Sequence, residues 1–92
     1  MATEDRKYER LVAEETLIFS ATEEISRVVE EWPGGMSRQR LADLAGGMSK
    51  AHVVRFLQGD GNPTLRTLAR LAHGLDHRVV ISLEPISGGD DE

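Results

Sequence analysis

The chain has 92 residues, no cysteine, and 16 acidic against 11 basic side chains, for a net charge of −5. That length suits one domain with extensions, and the lack of thiols excludes disulfides, thiolate metal sites and cysteine nucleophiles together. No apolar run approaches the ~20 residues of a membrane span, and the charged start MATEDRKYER lacks the apolar core of a secretory signal, so a soluble cytoplasmic protein is expected.

Residues 1–7 are polar and read as a frayed end. From Tyr8 to Trp32 the pattern is helical: Leu11, Ile18, Ile25 and Trp32 recur every seventh position, with Ala21 and Val28 between them, which draws one apolar stripe along a helix. Glu23 and Arg27 lie one turn apart and can pair on the outer face. Ser20 with Glu23 matches a capping box, so one bent helix and two consecutive helices both fit. Leu17, Phe19 and Val29 lie off the stripe and give the helix a surplus of apolar surface. That surplus suits either broad packing on the domain or contact with a partner.

Trp32-Pro33-Gly34-Gly35 ends this segment, because proline removes a donor and restricts its predecessor. Ser37 is a good N-cap for a second helix with Leu41, Leu44 and Ala45 facing inward. Gly46-Gly47-Met48 is a turn, and Ser49 caps a third helix with Val53, Phe56 and Leu57 inside. Gly59-Asp60-Gly61-Asn62-Pro63 cannot continue a helix. Thr64 caps the fourth helix, whose buried face is expected to hold Leu65, Leu68, Ala69 and Ala72, with Gly74 at its C-terminus.

The period then changes. Residues Arg78–Glu84 alternate, with Val79, Ile81 and Leu83 on one side, as a half-buried strand does. A lone strand leaves its backbone groups unpaired. The economical partner is the same strand of a second copy across a two-fold axis, which makes Val79, Ile81 and Leu83 dimerisation residues. Pairing with residues 1–7 of the same chain is the alternative. Residues Pro85–Glu92 form a Gly- and Asp-rich tail expected to be disordered. The chain thus divides into an acidic helical extension (1–35), a central core (36–75) and a strand with an acidic tail (76–92).

Charge follows these divisions. Residues 1–35 carry nine acids and four bases, and residues 84–92 carry four acids and no base. Residues 36–83 carry seven bases (Arg38, Arg40, Lys50, Arg55, Arg66, Arg70, Arg78) against three acids. Attraction to phosphate depends on charge within about a Debye length, ~8 Å at physiological salt. A locally basic core inside an acidic chain therefore remains suited to nucleic acid. With Val53, Phe56 and Leu57 inward, the third helix leaves Lys50, Ala51, His52, Val54, Arg55 and Gln58 toward solvent. Arg and Lys suit the two major-groove acceptors of guanine, and the Ala and Val methyls suit the thymine methyl. Arg38 and Arg66, each near a helix start, are placed to reach phosphates.

Three motifs carry a family resemblance: Ser37-Arg38-Gln39-Arg40-Leu41-Ala42, Ser49-Lys50-Ala51-His52-Val53-Val54-Arg55-Phe56, and the Gly59-x-x-Asn62-Pro63-Thr64-Leu65 connection. Together residues 36–75 resemble the helix-turn-helix domain of the Cro/repressor-like (XRE) family of prokaryotic regulators. The resemblance implies a mainly α fold, a lambda-repressor-like bundle of four to five helices. A long N-terminal helix precedes it, and a C-terminal β-strand pairs across a dimer. It places Lys50, Ala51 and Arg55 at base-reading positions. It places Arg38, Ser49, His52, Asn62, Thr64 and Arg66 at phosphate-contacting ones. The flanks resemble a subgroup that includes HigA- and HipB-like antitoxins and small prophage-type regulators. Two departures stand out: the Gly46-Gly47-Met48 turn is one residue longer than usual, and Arg38 replaces the family's common Gln after the cap.

The implied function is a sequence-specific DNA-binding regulator, in the first place a repressor, acting as a homodimer on palindromic double-stranded DNA. A cognate toxin as second partner falls within the same class. The rival class is a protein-interaction module that keeps the fold and has lost DNA binding. Neither needs a cofactor or an enzymatic site. His73 and His77 are spaced like zinc ligands on a helix, but Gly74 intervenes at a helix end and no third ligand is evident. Asp60-Gly61-Asn62 resembles a calcium-loop opening, yet Leu71 stands where the bidentate acid belongs.

Overall fold

The computed structural model describes residues 3–86, with side chains from Arg6 onward. Among the described residues there are four helices and no strand: α1 (Thr3–Glu30), α2 (Arg38–Leu44), α3 (Lys50–Leu57) and α4 (Leu65–Gly74). Three hydroxyls start the short helices where the sequence predicts. Ser37 Oγ accepts from the Arg40 N–H at 3.0 Å, Ser49 Oγ from His52 at 3.1 Å and Thr64 Oγ1 from Thr67 at 3.1 Å. Each bond satisfies one backbone donor that a helix start leaves open.

The core lies between the short helices and the second half of α1. Leu41, Val53 and Leu71, one from each short helix, are wholly buried. Ala42, Ala45, Phe56, Ala72 and Leu75 surround them, and Ile25, Val29 and Met36 close the cluster. α2 packs on α3 and α4, and α1 packs on the same two helices.

α1 is one unbroken helix that begins at Thr3, five residues before the expected Tyr8. The Ser20–Glu23 box starts no new helix. Thr22 instead turns its hydroxyl back to the Ile18 carbonyl at 2.9 Å, a bond a mid-helix threonine can make without leaving the helix. Arg27 pairs not with Glu23 but with Glu24 at 2.8 Å and Glu31 at 3.5 Å. Its hydrogen bond to Glu24, backed by that carboxylate's charge, holds the guanidinium pKa above its usual value. The apolar stripe is buried only in its second half. Ile25 and the off-stripe Val29 are in the core, whereas Leu11, expected inside, is 47% exposed. The bundle ends before it reaches Leu11.

The inward faces of α2 and α4 also differ from expectation. Leu44 is exposed and Ala42 is buried; Leu65 and Ala69 are exposed while Leu71 and Leu75 are buried. α4 ends at Gly74, as expected, with Leu75 as its cap. Past the cap Asp76 takes φ +60, its N–H donates to the His73 carbonyl at 3.0 Å, and the His77 N–H donates to the Ala72 carbonyl at 2.8 Å. That bond pair is a Schellman closure with an aspartate in the left-handed position usually held by glycine. Leu75 at the cap joins Leu68, Leu71 and Ala72 in one i, i+3, i+4, i+7 face.

The expected strand at 78–84 is not formed. Val79, Ile81 and Leu83 are exposed and the segment has no ladder partner among the described residues; a strand exists only through bonds to a neighbour, and a single chain supplies none here. Of the predicted tail, residues 87–92 lie outside the described residues.

Gly74 has a packing role in place of a capping one. A Cβ there would lie 3.1 Å from the Leu44 carbonyl carbon and 3.2 Å from the Ala45 nitrogen. Both are backbone atoms at the end of α2, which cannot rotate aside. Alanine in a helix interior normally gains about 1 kcal/mol over glycine. Here we expect Gly74→Ala to lose about 1 kcal/mol through overpacking, measured as a lowered urea midpoint with an unchanged m-value.

Candidate nucleic-acid interface

α3 is anchored through Val53 and Phe56, which are buried, and through half-buried Leu57. The same turn of helix therefore sets Lys50, Ala51, His52, Arg55 and Gln58 outward, all of them exposed, with Val54 half-buried at the edge. Nothing in the described structure covers Lys50, His52 or Arg55 with protein, and none takes part in an ion pair. Long cationic arms that are exposed and unpaired stay available to an anionic partner.

Six of the nine predicted contact residues meet in one groove. Ser49, Ala51, His52, Arg55, Asn62 and Thr64 line a concavity between α3 and the loop that leads into α4. Asp60, Gly61, Pro63, Phe56 and Thr67 complete its walls. Lys50, at the first position of α3, and Arg38 and Arg66, at the first turns of α2 and α4, lie outside that groove and are exposed. The structure thus gathers the loop and α3 residues and leaves those three as separate exposed cations.

Sequence reasoning missed Thr67 and Asp60. Thr67 Oγ1 lies 3.1 Å from Thr64 Oγ1, and its N–H is the donor that Thr64 caps. Its position three residues after a threonine cap was the available signal. Asp60 brings the one acid into the groove wall, beside the cation Arg55. Its N–H donates to the Arg55 carbonyl at 3.0 Å and so ends α3.

The turn between α2 and α3 is built on two glycines of positive φ, Gly46 at +91 and Gly47 at +79. At the end of α3 the second residue past the cap closes the helix. At the end of α2 this bond comes one residue later, from the Met48 N–H to the Ala42 carbonyl at 3.0 Å. Consecutive left-handed residues are costly for any side chain with a Cβ, which explains the glycine pair. α2 and α3 remain packed on each other across it.

His73 and His77 are exposed, and the His77 Nδ1 faces the Leu75 carbonyl. Among the described residues no three His, Asp, Glu or Cys side chains gather where they could hold a metal, and no helix is long and apolar enough to cross a membrane.

Residues 31–77 match the family model described as helix-turn-helix (HTH_3). That span covers the end of α1, the three short helices and the loops between them. No curated protein and no solved structure matches the chain.

Ser49 both starts α3 and lines the groove, and the two roles separate by substitution. Ser49→Ala should cost about 1 kcal/mol of folding stability by removing the cap. Ser49→Asp should keep it, since aspartate caps equally well. Parallel urea titrations of the two variants check both outcomes.

Proposed function

The chain belongs to the Cro/repressor-like (XRE) family of helix-turn-helix proteins, and we propose that it is a sequence-specific DNA-binding regulator. The observation that carries this reading is the exposed, unpaired row of Lys50, His52 and Arg55 on a helix whose opposite face is locked in the core. In this reading α3 enters the major groove, a channel ~12 Å wide. Lys50, Ala51 and Arg55 read base edges. Arg38, Ser49, His52, Asn62, Thr64 and Arg66 hold phosphates on either side, which fixes position without carrying sequence information.

Residues 36–75 carry the DNA contacts, and the reading extends to a homodimer acting in the cytoplasm on a palindromic operator. Two α3 helices about one DNA turn apart, ~34 Å, enter successive major grooves, and occupancy of the site represses. The segment 78–84 supports the dimer: it alternates in sequence, is exposed in the single chain, and a second copy supplies the ladder partner it lacks. The acidity of α1 also suits a basic toxin-like protein, which would make the regulator an antitoxin. A protein-interaction module without DNA binding is the rival, favoured by the net acidity and by Asp60 in the groove.

Fluorescence anisotropy with random duplex DNA separates the two. The regulator binds at low salt with about micromolar affinity that falls steeply as salt rises; the interaction module does not bind. Once a preferred site is selected from random sequence, Arg55→Ala should lose about 1–3 kcal/mol there and relax specificity. Arg38→Ala should weaken binding to every sequence and lower the salt slope by about one. Unchanged affinity in both variants would assign DNA binding to another face, or to none.

A further inference from the structure

The groove that gathers most of the proposed DNA contacts also holds an anion. Of the three acids in residues 36–83, Asp43, Asp60 and Asp76, only Asp60 lines it. The Asp60 N–H donates to the Arg55 carbonyl at 3.0 Å, which ties its backbone to the last turn of α3. Its side chain is exposed and joins no ion pair among the described residues, not even with Arg55 in the same groove. Asp60 stands on the loop side of that groove with Asn62 and Thr64, across from the α3 residues Ala51 and Arg55. In the DNA-binding reading the loop side holds phosphate and α3 meets base edges.

Resting on that reading, we propose that Asp60 is an affinity-setting residue of the interface, an electrostatic brake whose carboxylate repels the phosphate beside the loop. Residues 59–64 carry no cation to cancel it, and Arg55 is committed to a base edge once DNA is bound. Contact with the phosphate backbone is common to every sequence and supplies essentially all of non-specific binding. The brake therefore weakens random and preferred duplexes by the same factor and leaves discrimination to Lys50, Ala51 and Arg55. It also keeps less of the chain on the many non-specific sites with which an operator competes.

Anisotropy titrations over a salt series test it, on random duplex DNA and on the duplex selected from random sequence. Asp60 is exposed and its φ is not positive, so Asp60→Asn and Asp60→Lys keep the fold and the N–H that closes α3. Asp60→Asn should bind both duplexes roughly three- to tenfold tighter, the size expected for one like-charge contact near a surface. Asp60→Lys should bind tighter still, with a salt slope steeper by about one. Glu15→Gln removes the same charge outside the groove and should change neither affinity. Binding by Asp60→Asn under conditions where the natural chain shows none also supports the brake. Equal affinity of Asp60→Asn and the natural chain overturns this proposal alone. So does a gain that Glu15→Gln reproduces, or a loss confined to the selected duplex, which would make the carboxylate a reader of a base amino group. No binding by any of the four chains overturns the DNA-binding reading and the brake with it.

Discussion

Which way α3 faces depends on the burial of Val53 and Phe56 against α2 and the second half of α1. Everything offered to a partner follows from that anchoring. The helix is only eight residues long, too short to hold its orientation by intrinsic helix stability. Two apolar anchors and one serine cap fix its rotation, and the outward row of Lys50, His52 and Arg55 is a consequence. Leu41 and Leu71, wholly buried on the neighbouring helices, belong to the same core cluster as Val53.

Electrostatics act at a different scale from the net charge. The acidic side chains are concentrated on α1 and at the C-terminal end, while the short helices present their cations outward. Solvent and salt screen the two regions from each other over about a Debye length, so a chain of net charge −5 can present a basic face locally. On α1 the acids do local work too: Glu24 and Glu31 straddle Arg27 on its outer face. Exposed pairs of this kind contribute little to stability.

Much of this was legible in the residue pattern, and the misses have physical causes. The caps Ser37, Ser49 and Thr64, the breaks at residues 32–35 and 59–63, and the inward Val53 and Phe56 are local signals, and the structure places them where the sequence does. The end of α4 at Gly74 is as the sequence predicts, but its face was misphased: Leu65 and Ala69 were counted inward, whereas the buried row takes in Leu71 and runs on to the cap residue Leu75. Leu11 and Leu44 show a second cause: periodicity marks which side of a helix is apolar, not how far the covering elements extend. Most of the predicted contact residues gather in one groove because α3 and the 59–64 loop adjoin in space. Thr67 was signalled only by its spacing from the Thr64 cap, and Asp60 entered that groove unannounced, since residue type alone does not mark a polar side chain as facing a cleft. The strand at 78–84 is not formed, because alternation marks the two faces of a strand but does not supply the neighbour that a ladder needs.

The unbroken course of α1 has one more consequence. A single helix here spans two environments, with Thr22, Ile25 and Val29 sealed against the bundle and residues 6–17 in water. Its amide protons should therefore exchange with solvent by two routes. Those in the first half open by local fraying, at low free energy, whereas those in the second are released only when the whole bundle comes apart. One continuous element thus carries two clocks, one reporting the fold and the other reporting whatever lies against its far end.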